Sequence, residues 1–353
     1  MHYVIDRQAR ESAYLQLYRQ LKQDILEGAY PPGRKLPSKR QLAAELGLSL
    51  ITVEHALSLL VDEGYAEARQ RSGLYAAFGG ARAAPPASLE LMSAPAQAPE
   101  DFPFSVLARV MRRVLSEQGE RILARSPNCG CLELREELSG YLARSRGLRV
   151  RPEQLIIGSG AEYLYGLVVQ LLGRETLYAQ EQPCYEKILR VYEANGARCV
   201  HLPMGPDGIR SEALADCAAG VLHVTPYHSY PSGVTAGAAK RREYALWARE
   251  RGAYIVEDDY DSELSSVAGP VETIYSLAPE RVIYLNSFSK TLAPSMRTGY
   301  LVLPKALLPL YQERLGFYTC TVPVYDQLVL AEFIRCGELE RYIHRRRRNL
   351  KNL

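Results

Sequence analysis

Two short segments concentrate side chains able to do chemistry. One runs from Glu257 through Asp258, Asp259, Tyr260, Asp261 and Ser262 to Glu263; the other is Asn286-Ser287-Phe288-Ser289-Lys290. Each directly follows an apolar strand candidate, Tyr254 to Val256 and Arg281 to Leu285. In an open α/β sheet ligands collect beyond the carboxyl ends of the strands, so an acid, a phenol and an amine arriving there can converge. Lys290 is the candidate to bond an aldehyde, since a lysine amine stays partly neutral near positive charge and limited solvent. Asp258 suits a ring nitrogen, because a facing carboxylate keeps it protonated and makes the ring an electron sink. Tyr260, two residues on and on the same side of an extended segment, can hydrogen-bond a ring oxygen. An anionic tail on such a ring would need donors. Ser159, Gly160 and Ala161 at the start of a helix supply them, with Ser287 and Ser289 beside Lys290, and Arg297 can neutralise the charge. No metal is expected: Asp259, Asp261 and Glu263 lack the glycine and spacing of a calcium loop, and Cys129 and Cys131 fit no zinc spacing.

Positioning these residues requires strands alternating with helices. Short apolar runs at Gln154–Ile157, Thr176–Ala179, Val221–Val224, Tyr254–Val256 and Arg281–Leu285 alternate with helical stretches, which predicts an α/β unit with a mainly parallel sheet over residues 104–353. A proline-rich stretch without apolar periodicity, 79–103, reads as a linker. Before it, residues 1–78 read as helix, turn and helix followed by a hairpin. Leu15, Tyr18, Leu21, Ile25 and Leu26 mark one face of a first helix. Ser38 can cap a second helix over Lys39–Glu45, and Ser49 a third over Leu50–Glu63 with Val53, Leu57 and Leu60 inward. Gly64–Ala68 and Gly73–Phe78 form two strand candidates around a tip at Arg69–Ser72.

Bulk properties exclude some functions. In 353 residues with a net charge of +3, no apolar run is long enough to span a bilayer. The first ten residues have no signal-peptide pattern, so a cytoplasmic protein is expected. Over residues 1–80 Lys and Arg barely outnumber Asp and Glu, but Arg34, Lys35, Lys39 and Arg40 cluster without an intervening acid, as a phosphate-binding patch would.

The run PPG-x-x-LPS-x-R-x-LA-x-x-LG-x-S-x-x-TV, within residues 10–78, resembles the winged helix-turn-helix of the GntR family. The resemblance implies binding to double-stranded operator DNA, with the third helix in the major groove and Arg34, Lys35, Lys39, Arg40, Ser49, Thr52 and Arg71 at the interface. Leu50 departs from it, standing where the family usually has an arginine that contacts the groove. Residues 125–350, with Thr225-Pro226-Tyr227-His228-Ser229-Tyr230-Pro231-Ser232-Gly233 and Ser287-Phe288-Ser289-Lys290, resemble fold-type I aminotransferases, most closely the MocR subfamily of GntR regulators. This implies pyridoxal 5'-phosphate as cofactor, with Lys290 as its aldimine lysine, Asp258 at the ring nitrogen and Tyr260 at the phenolic oxygen. Tyr185 would lie over the ring and His228 in the ring-adjacent loop. It further implies a homodimeric transcriptional regulator that senses pyridoxal phosphate, an amino acid or an amine through the internal aldimine. The alternative is an aminotransferase with a fused DNA-binding domain. Family chains continue into a small C-terminal domain, whereas this sequence ends at Leu353, so most of that domain is expected to be missing and Tyr342–Arg348 resembles the helix leading into it. Lys187 lies near where some relatives set an arginine against an effector.

Overall fold

Serine side chains start two of the three N-terminal helices in the structure, a computed structural model that describes residues 3–6, 9, 11–69, 72–77, 102–260, 262–264 and 272–351. The chain divides into two compact units, Met1–Pro95 and Ala96–Leu353. In the first, α1 (Ala13–Leu26) precedes α2 (Lys39–Leu46) and α3 (Leu50–Asp62). Ser38 accepts from the Gln41 amide at 3.2 Å and Ser49 from the Thr52 amide at 3.1 Å, satisfying donors that a helix start leaves open. Gly47 ends α2 in a left-handed conformation, which makes the turn tight. The core joins Leu17, Leu21 and Ile25 of α1 to Leu42 of α2 and to Val53, Leu57 and Leu60 of α3. Leu17 takes the central place on the inward face of α1, while Leu15 and Leu26 are only partly buried.

The hairpin pairs β1 (Ala66–Arg69) with β2 (Gly73–Ala76), antiparallel from Ala66↔Ala76 to Arg69↔Gly73. A third extended segment lies against it: the amides of Gly33 and Leu36 donate to Ala76 and Leu74, and Ala76 donates to Arg34. Pro31 and Pro32 favour that extended course. The segment carrying Arg34 and Lys35 is thereby laid along the wing.

The second unit is an eight-stranded sheet between two helical layers. In chain order it runs α4 (Phe104–Gln118), α5 (Leu132–Arg146), β3 (Leu155–Gly158), α6 (Ala161–Leu172), β4 (Leu177–Gln182), α7 (Glu186–Ala194), β5 (Arg198–Gly205), β6 (Gly208–Ile209), α8 (Ser211–Ala215), β7 (Val221–Val224), α9 (Ala238–Arg251), β8 (Tyr254–Asp258), α10 (Ile274–Leu277), β9 (Val282–Ser287), α11 (Phe288–Thr291), β10 (Gly299–Val302), α12 (Leu308–Leu315), α13 (Val324–Arg335) and α14 (Glu338–Lys351). The strand order is β3-β10-β9-β8-β7-β4-β5-β6. β9, β8, β7, β4 and β5 are mutually parallel, as the alternating pattern predicts. β10 enters antiparallel between β3 and β9.

Alternation along β9 sorts the core, with Val282 and Tyr284 facing the layer of α4, α5, α9, α10, α13 and α14, and Ile283 and Leu285 facing α6, α7 and α12. The same alternation separates neighbours at the end of β8. Asp258 faces the α6 side, and Asp259 the α5 side.

Candidate functional site

The carboxyl ends of β8 and β9 and the N-terminus of α6 open on one cavity of about 410 Å³. Its lining includes Ala161, Tyr185, Asp258, Tyr260, Ser287, Ser289, Lys290 and Arg297, eight of the residues singled out from the sequence. Lys290, on α11, holds its ammonium nitrogen 4.6 Å from the centre of the Tyr260 ring. Tyr185, the residue just before α7, meets Tyr230 edge to face at 5.9 Å. The remaining three predicted residues lie outside this lining. Ser159 accepts from the Thr321 hydroxyl at 3.0 Å. Gly160 is buried beside Arg297: a Cβ there would sit 2.7 Å from a guanidinium nitrogen, and its φ of +98° suits glycine alone. His228 contributes backbone, its carbonyl accepting the Tyr260 hydroxyl at 2.9 Å, with a left-handed φ of 47°.

Asp258 is 2% exposed, and its environment was not foreseen from sequence. One carboxylate oxygen accepts the Tyr165 hydroxyl from α6 and lies 3.7 Å from Nε2 of His223 on β7. Nδ1 of His223 pairs at 2.6 Å with the hydroxyl of Tyr192 on α7. Burial, reinforced by the Asp258 charge, pushes the Tyr165 phenol well above its ordinary range, which keeps it a neutral donor. The second oxygen, Oδ1, is buried and has no hydrogen-bond partner among the described residues. A buried carboxylate oxygen left open in a cavity wall calls for a donor or cation. A protonated ring nitrogen is such a group, and the residues present fit pyridoxal phosphate. The faint sequence signals were a lone histidine in the apolar strand Val221-Leu222-His223-Val224 and a tyrosine inside the apolar helix around Leu164.

At the cavity mouth Glu162, in the first turn of α6, bridges two cations. Arg297 donates to one oxygen, and Lys187 reaches the other at 3.1 Å. Burial alone would raise this carboxyl, but Arg297 and Lys187 hold it below its usual range. Arg297 also lies 3.5 Å from the Ser289 hydroxyl. At the end of β4 the buried Glu181 accepts the Ser229 hydroxyl at 2.6 Å, and burial pushes its carboxyl up to about 7.

Two of the acids beyond Asp258 are buried away from the cavity. Asp259 and Glu263 are buried on the opposite face, Asp259 against Arg146 and Glu263 accepting from Tyr141 and Thr291. Among the described residues no His, Cys, Asp and Glu group could hold a metal, and no helix is long and apolar enough to cross a membrane.

In the N-terminal unit Arg34, Lys35, Lys39 and Arg40 are all exposed, and Lys39 meets Glu54 of α3 at 2.6 Å. Ser49 is engaged as a cap, its hydroxyl 2.7 Å from that of Thr52. Arg71 lies outside the described residues.

Residues 13–75 match the bacterial regulatory proteins of the gntR family. Over 95% of its length the chain is 34% identical to the HTH-type transcriptional regulator YdeL of Bacillus subtilis, covering 76% of that protein. Over 98% of its length it is 30% identical to the probable rhizopine catabolism regulatory protein MocR of Rhizobium meliloti, again covering 76% of it. The chain belongs to the MocR subfamily of GntR-type transcriptional regulators. The second unit of this MocR-type regulator has an aminotransferase fold. It superposes with a TM-score of 0.64 on LysN, the alpha-aminoadipate aminotransferase of Thermus thermophilus, at 29% identity, with 72% of this chain and 66% of LysN covered. LysN was solved with N-(5'-phosphopyridoxyl)-L-leucine.

Proposed function

We propose that this MocR-type regulator binds operator DNA through residues 1–78 and holds pyridoxal phosphate in the Asp258–Lys290 cavity, answering to that cofactor or to an amino acid or amine. It would act in the cytoplasm as a homodimer, with 79–103 linking DNA-binding and effector domains. The observation that carries the reading is the unpartnered Oδ1 of Asp258 in a cavity that also presents Lys290. The phosphopyridoxyl ligand of LysN supports it.

When bound, the cofactor supplies an aldehyde and an electron-withdrawing pyridine ring. Lys290 offers the amine for the aldehyde. Asp258, fixed by Tyr165, would hold a proton on the ring nitrogen through its open oxygen. Tyr260, whose hydroxyl donates to the His228 carbonyl, would stand at the phenolic oxygen of the ring, and Tyr185 would cover a face. Ser287, Ser289, Arg297 and the first amides of α6, with Ser159, Gly160 and Ala161, would take the phosphate. Homodimerisation would give two DNA-binding heads. An effector that distinguishes two arrangements of those heads couples cavity and operator, by a free energy of typically about 1 to 3 kcal/mol.

Borohydride reduction of the full chain incubated with pyridoxal phosphate, followed by peptide mapping, tests the reading. The expected adduct lies on Lys290, and Lys290→Ala should abolish it and the associated visible absorbance. An adduct on another lysine, or none, overturns the assignment.

Glu162 should act as an internal rival of the phosphate, because it holds the two cations at the mouth. Glu162→Gln is expected to tighten binding of inorganic phosphate about five- to tenfold, the effect of removing one repelling charge worth about 1 kcal/mol. Isothermal titration calorimetry reads this directly. Weaker binding by the variant would mean that Glu162 chiefly positions Arg297.

A further inference from the structure

The first turn of α3 presents an apolar tip to solvent. Leu50 is 51% exposed and Ile51 is 74% exposed, although Val53, Ala56, Leu57 and Leu60 of the same helix are buried. Large aliphatic side chains are costly to leave in water, at about 25 cal/mol per Å² of apolar surface, so this adjacent pair calls for a partner. The polar groups around the tip are already engaged. Ser49 caps the helix and pairs with the Thr52 hydroxyl, Glu54 holds Lys39, and the His55 ring meets Tyr14 edge to face at 5.4 Å. The helix carries no lysine or arginine. The exposed cations Arg34, Lys35, Lys39 and Arg40 belong instead to the preceding segment and to α2. An apolar tip beside cations matches a DNA groove, in which phosphates line the rim.

The second helix of a helix-turn-helix motif reads base edges with its N-terminal residues, and the apolar feature of the major groove is the thymine methyl group. We infer that Leu50 and Ile51 read thymine methyl groups, so that base recognition by this turn is by apolar contact while the neighbouring cations hold phosphates. The inference rests on the winged helix binding duplex DNA and specifies what its recognition helix selects. It also explains why Leu50 can stand where an arginine would read guanine: the selected sites then present thymine at that place.

The test uses the full chain and a random duplex library. The best selected duplex is resynthesised with deoxyuridine in place of each thymine in turn, a change that removes only a methyl group. At one or two thymines of each half-site the wild-type chain should bind about fourfold more weakly, the worth of one buried methyl group. That penalty should vanish in Leu50→Ala or Ile51→Ala, whose exposed side chains are not needed for folding. Arg40→Ala, in contrast, should weaken all duplexes alike and keep the deoxyuridine penalty. Deoxyuridine tolerated at every thymine, or an equal penalty in the alanine variants, overturns the inference while leaving DNA binding intact. A chain that selects no duplex overturns DNA binding and the inference together, and selection of half-sites without thymine overturns the inference alone.

Discussion

Replacing Arg146 with alanine is expected to destabilise the second unit by about 3–5 kcal/mol, among the larger effects a single substitution has. Arg146 ends α5 and is nearly buried; its guanidinium holds Asp259, with Nε at 3.0 Å from Oδ2, and the Tyr284 hydroxyl donates to the same oxygen. The Tyr227 ring lies 5.3 Å from the guanidinium carbon. Glu257 is fully buried nearby, accepting the amides of Ile274 and Tyr275 at 2.8 and 2.7 Å. Burial, with Asp259 adding to it, pushes the Glu257 carboxyl up to about 8. Burial also raises Asp259, against which Arg146 and Tyr284 act. Deleting the guanidinium leaves a carboxylate in a dry interior without its cation, and the end of β8 loses the tie that holds it to α5. Urea unfolding of the full chain, followed by a probe confined to the second unit, measures the loss. Arg146→Met combined with Asp259→Leu should recover most of it, since removing both charges removes the desolvation cost as well. A loss below about 1 kcal/mol in the single variant would show that Asp259 protonates cheaply and that the pair does little for stability.

The second large effect is expected on cofactor retention. Asp258→Asn keeps the shape of the side chain and an acceptor for Tyr165, but removes the negative charge. Breaking a buried charge pair costs about 2–5 kcal/mol, so affinity for pyridoxal phosphate should fall on the order of thirtyfold or more. Equilibrium dialysis of cofactor against the full-length variant checks this, and thermal unfolding without cofactor controls for the fold. Unchanged affinity would mean that the open oxygen of Asp258 faces something other than a protonated ring nitrogen.

The parts of this molecule that punctuate their own ends were legible in the sequence. Ser38, Gly47 and Ser49 mark helix boundaries by local hydrogen bonding and backbone freedom, so the helix-turn-helix could be read residue by residue. Buried strands such as Val221–Val224 and the Tyr254–Val256 part of β8 stand out because both faces are covered and mostly apolar. β5 escaped notice since it is only half-buried and contains Pro203. That Asp258, Tyr260 and Lys290 line one cavity was legible because strand ends are where ligands collect. Their supports were not. Tyr165 reaches Asp258 across 93 residues, His223 meets Tyr192 across 31, and Arg146 finds Asp259 across 113. Contacts of that range depend on strand order and register, which no local pattern encodes. The face of α1 was misassigned in part for a similar reason: Leu15 and Leu17 are both apolar, and only packing against α3 decides which is central.

The antiparallel entry of β10 ties the segment that carries Lys290 to both sides of the sheet. Ser287 and Gly299 pair across the base of the β9–β10 connection, and the Phe288 amide closes it on the Thr298 carbonyl at 2.9 Å. Ser289, Lys290 and Arg297 therefore ride on one excursion with a latched neck. Thr291 on α11 donates to the buried Glu263 on the α5 side, while Arg297 holds Glu162 of α6 on the other. A shift of this one excursion would therefore be felt in both helical layers at once.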